Sequence, residues 1–491
     1  MNLPVRLGPI DISIIAVYLV CITLFGLRFR KANRSLRDYF LADRKIPWWA
    51  IMLSIVAAET STLTIIGTPS IAYDGNLGFL QVVMGFTLGR VLICVLLIPQ
   101  YFRGEFYTAY QLIERRFGSV LHKVTAFVFL LTRAVAEGVR VWAVAIVVGV
   151  VLGTGDIASV AIITLLTLFY TFEGGLAAVI WTDVVQIMIY VTGTVIGFVT
   201  LLHLVPGGWQ AVHAAASQAG KLQVFDFSWN FFKPYTFWAG LIGGMFLNTA
   251  SHGVDQLLVQ RLLAARNQKE STVSLLASGI VVFAQFTLFL LVGIGLWMFY
   301  RVNPAEAHFT STDTVFPTFI VRHMPVGISG LLIAAILAAA MSNLSAALNS
   351  LSSTTVIDFY LRLKPKTSDR SRMLFSRGAT LFWGVVLFAL ALASRKGGKV
   401  LELGIRVASV AYGGLLGVFL LGVLTKRAKQ TGAMIGMMCG LALDIYLWQF
   451  TKVPYTWWVI LGSAVTFVVG YCASLLEADA SYRKSNSSVG P

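Results

Sequence analysis

The sequence has little charge for its length. Only 12% of its 491 residues are Asp, Glu, Lys or Arg, whereas 57% are hydrophobic, and a soluble chain carries about 25% charged residues. The apolar residues are also grouped into runs that can cross a bilayer, which takes roughly 20 residues. A large soluble domain is therefore excluded. The composition predicts an all-α polytopic membrane protein that lies in a lipid bilayer.

Cysteine is scarce, and the residue spacings that mark many enzymes are missing. The four cysteines (Cys21, Cys94, Cys439 and Cys472) lie far apart within apolar segments, which fits neither a metal site nor a disulfide framework. The sequence has no H-E-x-x-H motif, phosphate-binding loop or nucleophile elbow. We therefore expect neither an enzyme nor an ATP-driven pump.

The chain carries a net charge of +16, but the placement of this charge argues against a nucleic-acid partner. Basic residues cluster in alternate loops, as the positive-inside bias requires; residues 395–399 are the exception. This bias predicts that the N-terminus lies outside and the C-terminus in the cytoplasm. We expect the protein to lie in a plasma membrane, such as a bacterial inner membrane. The first apolar run has no small-residue cleavage site after it, so we expect it to be a retained span.

The apolar runs predict thirteen transmembrane helices, with short loops between most of them. An aromatic external segment, 205–235, is the longest loop, and residues 481–491 are expected to be disordered. The predicted helices cover residues 9–28, 46–72, 78–100, 120–152, 157–172, 177–204, 236–262, 271–300, 326–360, 374–393, 401–425, 431–450 and 456–476.

Two of the predicted spans are interrupted at corresponding places. The second contains Glu59, followed by Gly67 and Pro69, which weaken a continuous helix. The seventh contains the glycine pair 243–244 and the polar run 248–253. Matching interruptions five spans apart indicate an inverted-repeat transporter with its site at the bilayer midplane. The predicted parts are an extra helix with a basic loop (1–45), a first repeat (46–204), an external loop (205–235), a second repeat (236–425) and two final helices with a tail (426–491).

One face of the ninth predicted span carries a stripe of oxygen-bearing side chains at helical spacing. Oxygen at membrane depth is costly unless it faces another helix, a cavity or an ion. By itself such a stripe is ordinary helix packing. Together with backbone carbonyls at Ala57 and Thr60 in the second span, it predicts a sodium site. The stripe consists of Ser342, Ser345, Asn349 and Ser352.

Several ionisable residues fall within apolar spans. Their charges should pair, because a lone charge at the bilayer centre costs at least ~2.5–3.5 kcal/mol. Glu137 can pair with Arg133 or Arg140 of the same helix. A surplus arginine would then hold Glu59 or an anionic substrate. Arg406 is another candidate for a buried charge.

Two polar residues leave alternatives open. Asp183, near the cytoplasmic end of the sixth span, either takes part in ion binding or forms a local salt bridge or cap. His252, in the second interruption, either carries a proton or is a packing histidine held by hydrogen bonds. The other histidines form no cluster, so metal-enzyme chemistry has no support.

Four segments match the pattern of one transporter family. With them the chain resembles the sodium:solute symporter family, which includes sodium/glucose, proline, pantothenate and sialic acid cotransporters. The resemblance implies a LeuT-type fold of two inverted five-helix repeats, with one extra helix before them and two after. It also implies alternating-access cotransport driven by Na⁺. The matching segments are Arg37-Asp38-Tyr39-Phe40-Leu41-Ala42-Asp43-Arg44, residues 170–186 (Tyr170 to Gln186), residues 256–261 (Gln256 to Arg261) and the ninth span.

The resemblance implies a sodium site on one set of five residues. Its ligands are the carbonyls of Ala57, Thr60 and Ala339 and the side chains of Ser342 and Asn343. Asn343 departs from the family pattern, which usually has Ser or Thr there, although an amide oxygen can still coordinate sodium.

Some family members bind a second sodium ion. The residues that match those of the second sodium site are Asp183, Ser342 and Ser345, whereas Ala346 lacks the expected hydroxyl. The sequence therefore leaves open whether the chain binds one sodium ion or two.

Fewer of the family's substrate-binding positions are matched in this sequence. Asn248 matches a polar position of sugar-binding relatives, and His252 replaces a usual aromatic residue. The lysine that sugar transporters place on the following helix is missing, with Gln285 as the nearest polar residue. These differences argue against a plain glucose transporter and leave a carboxylate or another polar metabolite open. The expected substrate-binding residues are Glu59, Ser61, Thr64, Gln81, Arg140, Asn248, His252, Gln285 and Arg406.

The sequence thus predicts a sodium-coupled importer of a small organic solute, present as a monomer or a weak homo-oligomer. One alternative is a proton-coupled carrier or exchanger of the same fold, with His252 or Glu59 as the switch. Another is a sensor that binds solute without transporting it, although no soluble output domain follows the last span.

Overall fold

The computed structural model describes residues 7–28, 41–104, 106–171, 175–309, 311–364, 366–396 and 400–487. In this part of the chain the secondary structure is helical, apart from turns and one backbone bridge between Ile46 and Ala265. The segment 37–40 and residues 172–174, which belong to two of the family-like segments, lie outside it. The helices are Pro9–Leu27 (α1), Trp48–Glu59 (α2), Thr62–Asp74 (α3), Leu77–Tyr101 (α4), Tyr110–Phe117 (α5), Ser119–Leu152 (α6), Asp156–Thr171 (α7), Gly175–Leu204 (α8), Gly208–Gln218 (α9), Gly244–Gly253 (α10), Gln256–Leu263 (α11), Gln268–Val302 (α12), Val315–His323 (α13), Ile328–Leu363 (α14), Asp369–Ala393 (α15), Val400–Leu424 (α16), Gln430–Phe450 (α17) and Tyr455–Ser487 (α18).

Many of these helices have the length and apolarity of membrane spans. Eight of the described helices qualify individually, and the bent pair α2–α3 makes a ninth candidate. Helix α6 is 34 residues long but carries Arg133, Glu137 and Arg140. The chain is an all-helical polytopic membrane protein, as the composition predicted.

The second predicted span is broken near the residues that the sequence indicated. Helix α2 ends at Glu59, α3 begins at Thr62, and the two helices are bent by 60°. The residues between them leave the helical conformation, with ψ of 82° at Thr60 and an extended backbone at Ser61. Pro69 lies inside α3, which continues to Asp74. The polar residues, rather than the proline, therefore mark the break.

The interruption in the seventh predicted span lies further along the chain than the sequence indicated. Helix α10 continues through the polar run 248–253, and the break comes at Val254 and Asp255. The glycine pair serves close packing instead, because a Cβ on Gly244 would collide with the backbone of Val82 in α4. Asp255 begins α11 as its N-cap, and its carboxylate accepts the Leu257 N–H at 2.9 Å.

The segment 205–235, which the sequence predicts to be external, contains α9 and is tied to the end of α3. The ammonium of Lys221 donates hydrogen bonds to the carbonyl oxygens of Tyr73 and Gly75 at 2.8 and 2.9 Å. Helix C-termini carry unpaired carbonyls and attract cations. Burial lowers the pKa of Lys221 from its usual range. The segment thus covers the C-terminal end of α3.

The last three helices, α16, α17 and α18, pack against one another. Helix α18 continues to Ser487, so the prediction of disorder from residue 481 is wrong over 481–487. The helix formers Glu477, Ala478 and Ala480 lie just before this continuation, and Arg483 and Lys484 lie within it. Residues 488–491 lie outside the described part of the chain.

Candidate functional site

A cavity of about 130 Å³ lies between the two broken helices and helices α4, α6, α12 and α16. Phe79, Phe86 and Phe286 line one apolar part of it. Six of the nine predicted substrate residues meet at this cavity although they come from separate parts of the chain. The polar side chains that line it are Glu59, Ser61, Thr64, Arg133, Arg140, Asn248, Ser251, His252 and Tyr412.

The break between α2 and α3 frees a backbone carbonyl. In a continuous helix the Ser61 N–H would donate to Ala57, four residues earlier. Here it donates to the Glu59 carbonyl at 3.1 Å, while the Thr60 N–H still reaches Val56 at 2.8 Å. The Ala57 oxygen thereby loses its helical donor. A carbonyl without a donor at membrane depth is the kind of ligand that a sodium ion needs.

Glu59, next to this break, is paired with two basic side chains. The guanidinium of Arg90, which is fully buried on α4, donates to its carboxylate. His252 Nε2 lies 3.3 Å from the same carboxylate oxygen. His252 Nδ1 lies 3.1 Å from the Asn248 amide nitrogen and 2.8 Å from the Ser251 hydroxyl. These contacts suit a packing histidine, and the neighbouring carboxylate also suits a proton carrier.

A second charged network connects α6 with the break between α10 and α11. Glu137 accepts hydrogen bonds from both Arg133, at 3.1 Å, and Arg140, at 3.2 Å, so both of the predicted pairings occur. Arg133 also contacts the Asp255 carboxylate at 3.3 Å, and the Tyr412 hydroxyl donates to the same oxygen at 2.8 Å. The side chain of Arg140 is 23% exposed and that of Arg133 only 5%. Arg140 is therefore the arginine that is more open to the cavity.

Helix α14 brings an unpaired amide oxygen close to the first break. Asn343 donates from Nδ2 to the Ala339 carbonyl at 3.0 Å, while its buried Oδ1 has no hydrogen-bond partner among the described residues. A small cleft that Asn343 shares with Ser61 and Thr62 lies beside it. An unsatisfied buried acceptor costs about 1–3 kcal/mol. This oxygen therefore fits a bound cation. The side chain of Ser342 lies outside the described part of the chain.

Asp183 is part of a buried salt bridge. Its carboxylate contacts the Arg261 guanidinium of α11 at 3.0 Å and accepts a hydrogen bond from the Ser54 hydroxyl of α2. Arg261 also donates to the Ser54 hydroxyl at 2.8 Å. Of the two readings left open by the sequence, the structure shows the salt bridge. Ser345, which was predicted with Asp183, is buried on α14.

Three predicted substrate residues do not line the central cavity. Gln81 joins the start of α4 to the external segment through the Tyr235 carbonyl and the Asp226 N–H. Gln285 donates to the Thr60 hydroxyl at 2.8 Å. Arg406 was expected to be buried, but its side chain lies on an exposed face of α16. That expectation is wrong because successive residues of a helix point to different sides, and the cavity faces Ile405 and Ala408 instead.

Four residues that complete these networks were not singled out from the sequence. Arg90 could have been recognised from the sequence, since it is a charged residue within an apolar span. Asp255 and Arg261 stand in polar surroundings at the end of a span and resemble loop residues in sequence. Tyr412 had no signal, because a tyrosine in an apolar helix is common. Their partners lie far away along the chain, as the 122 residues between Arg133 and Asp255 illustrate.

Comparison with known proteins points to one family. The model of the sodium:solute symporter family matches residues 39–440. The chain is 28% identical to the sodium/sialic acid symporter SiaT of Proteus mirabilis, over 96% of each protein. It is also 28% identical to the human sodium/iodide cotransporter, over 90% of this chain and 70% of that protein. It is 27% identical to the sodium-coupled monocarboxylate transporter 1 of Xenopus laevis, over 89% of this chain and 71% of that protein.

Solved structures agree with this match. A sodium-coupled sialic acid symporter in a substrate-bound outward-open state aligns with a TM-score of 0.86 and 27% identity, over 96% of this chain and 98% of that one. The nucleobase-cation-symport-1 transporter Mhp1, in a closed conformation, aligns with a TM-score of 0.59 and 11% identity, over 90% and 94% of the two chains. The second likeness concerns the fold alone.

Proposed function

The chain belongs to the sodium:solute symporter family, and from this premise we propose that its solute is a small organic carboxylate. The chain is a sodium-coupled symporter that works by alternating access, not an enzyme, as the sequence predicted. The main support for a carboxylate solute is the position of Arg140, whose guanidinium lines the central cavity and is partly open to it.

Arg140 suits a carboxylate for reasons of geometry and charge. A guanidinium presents paired N–H donors that match the two oxygens of a carboxylate. The contact of Arg140 with Glu137 uses a single terminal nitrogen, so further N–H groups of the guanidinium face the cavity. Asn248 and Ser251 add neutral polar groups for the rest of the solute. At about 130 Å³, the cavity favours a solute smaller than the drug-sized ligands that fill ~300 Å³ or more.

The relatives support an anionic solute. By their names they pair sodium with sialic acid, a monocarboxylate or iodide. Each of these solutes is an anion at neutral pH. An arginine that is open to the cavity is consistent with that shared chemistry.

The charge balance around the cavity gives sodium a physical role. The described networks contain three carboxylates, Glu59, Glu137 and Asp255, and three arginines, Arg90, Arg133 and Arg140. The site is therefore neutral before any ligand arrives, and a carboxylate alone would add one buried negative charge. One sodium ion would cancel that charge and so favour the binding of both together.

We propose that this sodium ion lies between the first break and α14. Its ligands would be the carbonyls of Ala57, Thr60 and Ala339 with the side chains of Ser342 and Asn343. The freed Ala57 carbonyl and the unpartnered Asn343 oxygen support this choice.

A second sodium ion at Asp183, Ser342 and Ser345 remains a weaker proposal. Arg261 already supplies a positive charge to Asp183. A sodium ion there would have to share the carboxylate with this guanidinium or displace it.

We also propose the membrane arrangement that the sequence predicted. Thirteen spans would comprise one extra helix within 1–45, inverted repeats over 46–204 and 236–425, and two helices within 426–491. The breaks before Thr62 and before Gln256 support this arrangement, because each falls in the first span of its repeat.

Arg140→Gln tests the proposed solute in proteoliposomes with an inward sodium gradient. We expect sodium-driven uptake of a labelled small carboxylate to lose at least tenfold in apparent affinity, because the charged hydrogen bonds to the carboxylate are lost. Arg406→Gln is the matched control and should be unchanged. Equal uptake of a carboxylate and its neutral amide by the unaltered protein would refute the carboxylate assignment. Uptake driven by a pH gradient without sodium would favour the proton-coupled alternative.

A further inference from the structure

Asp444 is a buried acid that the transport site does not use. It lies on α17, and its side chain is fully buried. Neither of its carboxyl oxygens has a hydrogen-bond partner among the described residues. Helices α16 and α18 face it with glycine: a Cβ on Gly413 or on Gly462 would collide with its Oδ2. The carboxyl therefore occupies a space that these two glycines leave open between three helices.

An ionised carboxylate would be unstable in this position. Moving an unpaired carboxylate out of water costs several kcal/mol even after relaxation, and buried charges otherwise pair or become neutral. No described side chain donates a hydrogen bond to Asp444, so the neighbouring helices offer no partner that would stabilise the charged form. Tyr412, next to Gly413, is the adjacent ionisable group on α16, and its hydroxyl is directed at Asp255. The other buried carboxylates described above have basic partners.

We propose that Asp444 is a proton-binding site, whose neutral carboxyl holds α16, α17 and α18 together. This site is separate from the sodium and solute site and does not depend on which solute is carried. Loss of the proton would place a bare charge against two glycines, so that the three helices would have to separate or admit water.

The proposed proton site has a short connection to the transport cavity. Gly404, Ile405, Ala408 and Tyr412 of α16 line that cavity. Gly413, one residue after Tyr412, contacts the Asp444 carboxyl. The neutral carboxyl thus supports the side of α16 that faces away from the solute. Deprotonation is expected to loosen this wall and to slow transport at alkaline pH.

Thermal unfolding of the purified protein as a function of pH tests the proposal, with Asp444→Asn as a mimic of the neutral acid. A carboxyl that is neutral when folded and ionised when unfolded releases a proton on unfolding, so stability falls as pH rises above the ~3.9 of a free aspartate. Between pH 5 and 8 the natural protein should lose stability relative to Asp444→Asn, by up to about tenfold in the unfolding equilibrium constant per pH unit. A difference that does not change with pH would overturn the proposal.

Asp11→Asn provides a matched control. Asp11 is also buried, but its carboxylate accepts the backbone N–H groups of Gly327 and Gly330 at 2.7 and 2.9 Å. Asp11 therefore has the hydrogen-bond donors that Asp444 lacks. The stability difference between this variant and the natural protein should stay constant between pH 5 and 8. A slope equal to that of Asp444→Asn would show that the effect is not specific to Asp444.

Two further measurements keep the test informative. Infrared spectra at neutral pH should show a carbonyl band of a neutral carboxylic acid that is lost in Asp444→Asn, or in Asp444→Ala if the first variant does not fold. The absence of that band would overturn the proposal. In proteoliposomes, sodium-driven uptake by the natural protein should decline between pH 7 and 9 more than uptake by Asp444→Asn. A stability difference that depends on sodium rather than on pH would assign a cation to this site instead.

Discussion

At the scale of single residues, the three carboxylates around the cavity have basic partners, whereas several buried polar atoms, among them an amide oxygen on α14, have no hydrogen-bond partner among the described residues. Glu59, Glu137 and Asp255 each contact at least one arginine. The Oδ1 of Asn343 is buried without a partner among the described residues. Since buried acceptors are rarely left unpaired, this oxygen is the most specific residue-level support for a sodium ligand on α14.

The first residue-scale prediction concerns Asn343→Ala. Removing one of five proposed ligands should raise the sodium concentration for half-maximal uptake by about tenfold, which corresponds to about 1.4 kcal/mol. Uptake at saturating sodium should change less. Ser350→Ala, on the same helix, removes a hydroxyl that is bonded to the Ala347 carbonyl and should leave the sodium dependence unaltered. An unchanged sodium dependence in Asn343→Ala would remove this residue from the site.

At the scale of helices, each break is held by a carboxylate that bonds to another helix. Glu59 ends α2 and contacts Arg90 of α4. Asp255 caps α11 and contacts Arg133 of α6 and Tyr412 of α16. A broken helix leaves backbone groups without intrahelical partners; Asp255 satisfies one of them as an N-cap, and both carboxylates tie the broken helices to their neighbours.

Asp255 offers a prediction at this scale. Asp255→Ala removes an N-cap, which typically costs about 1 kcal/mol, and leaves Arg133 with Glu137 alone. We expect the free energy of unfolding to fall by about 2–3 kcal/mol, since loss of a partner from a buried pair costs ~3–5 kcal/mol when nothing else compensates. Asp255→Asn keeps a cap and an acceptor for Tyr412, so its loss should be smaller. Thermal unfolding measures both variants, and equal losses would show that the cap is unimportant.

At the scale of the whole molecule, basic and aromatic residues lie at opposite ends of the predicted bundle. The exposed aromatic side chains of 225–232 belong to the segment that covers α3. Exposed Lys426 and Arg427 follow the C-terminal end of α16. From the positive-inside bias we expect the second group to lie in the cytoplasm.

Labelling with a membrane-impermeant maleimide tests this orientation. In a background with all four cysteines replaced by serine, Ser228→Cys should be labelled in intact cells because it lies on the external segment. Lys426→Cys should be labelled only after permeabilisation. Both positions are exposed, so a difference in labelling reports the side of the membrane. Labelling of Lys426→Cys in intact cells would invert the predicted topology.

Much of the protein could be predicted because the relevant signals are local in sequence. Low charge and apolar runs identify membrane helices, and the polar residues after Glu59 mark a break. Within one helix, spacing brings Glu137 within reach of Arg133 and Arg140, and both contacts occur. The family resemblance, with its sodium-coupled transport, was carried by contiguous segments and is confirmed by the family match.

Only the tertiary structure decided which helices supply the partners of these residues. Periodicity shows which residues share a face of one helix. It does not show which way that face is turned or which helices pack against it. Spacing therefore could not show that Glu59 pairs with Arg90 or that Asp183 pairs with Arg261. It also could not show that Arg406 is exposed. The shift of the second break to Asp255 has the same cause, because Gly243 and Gly244 before it serve packing against α18 and α4. The sequence determined the class of transporter, and packing between distant segments determined which charged residues line its cavity.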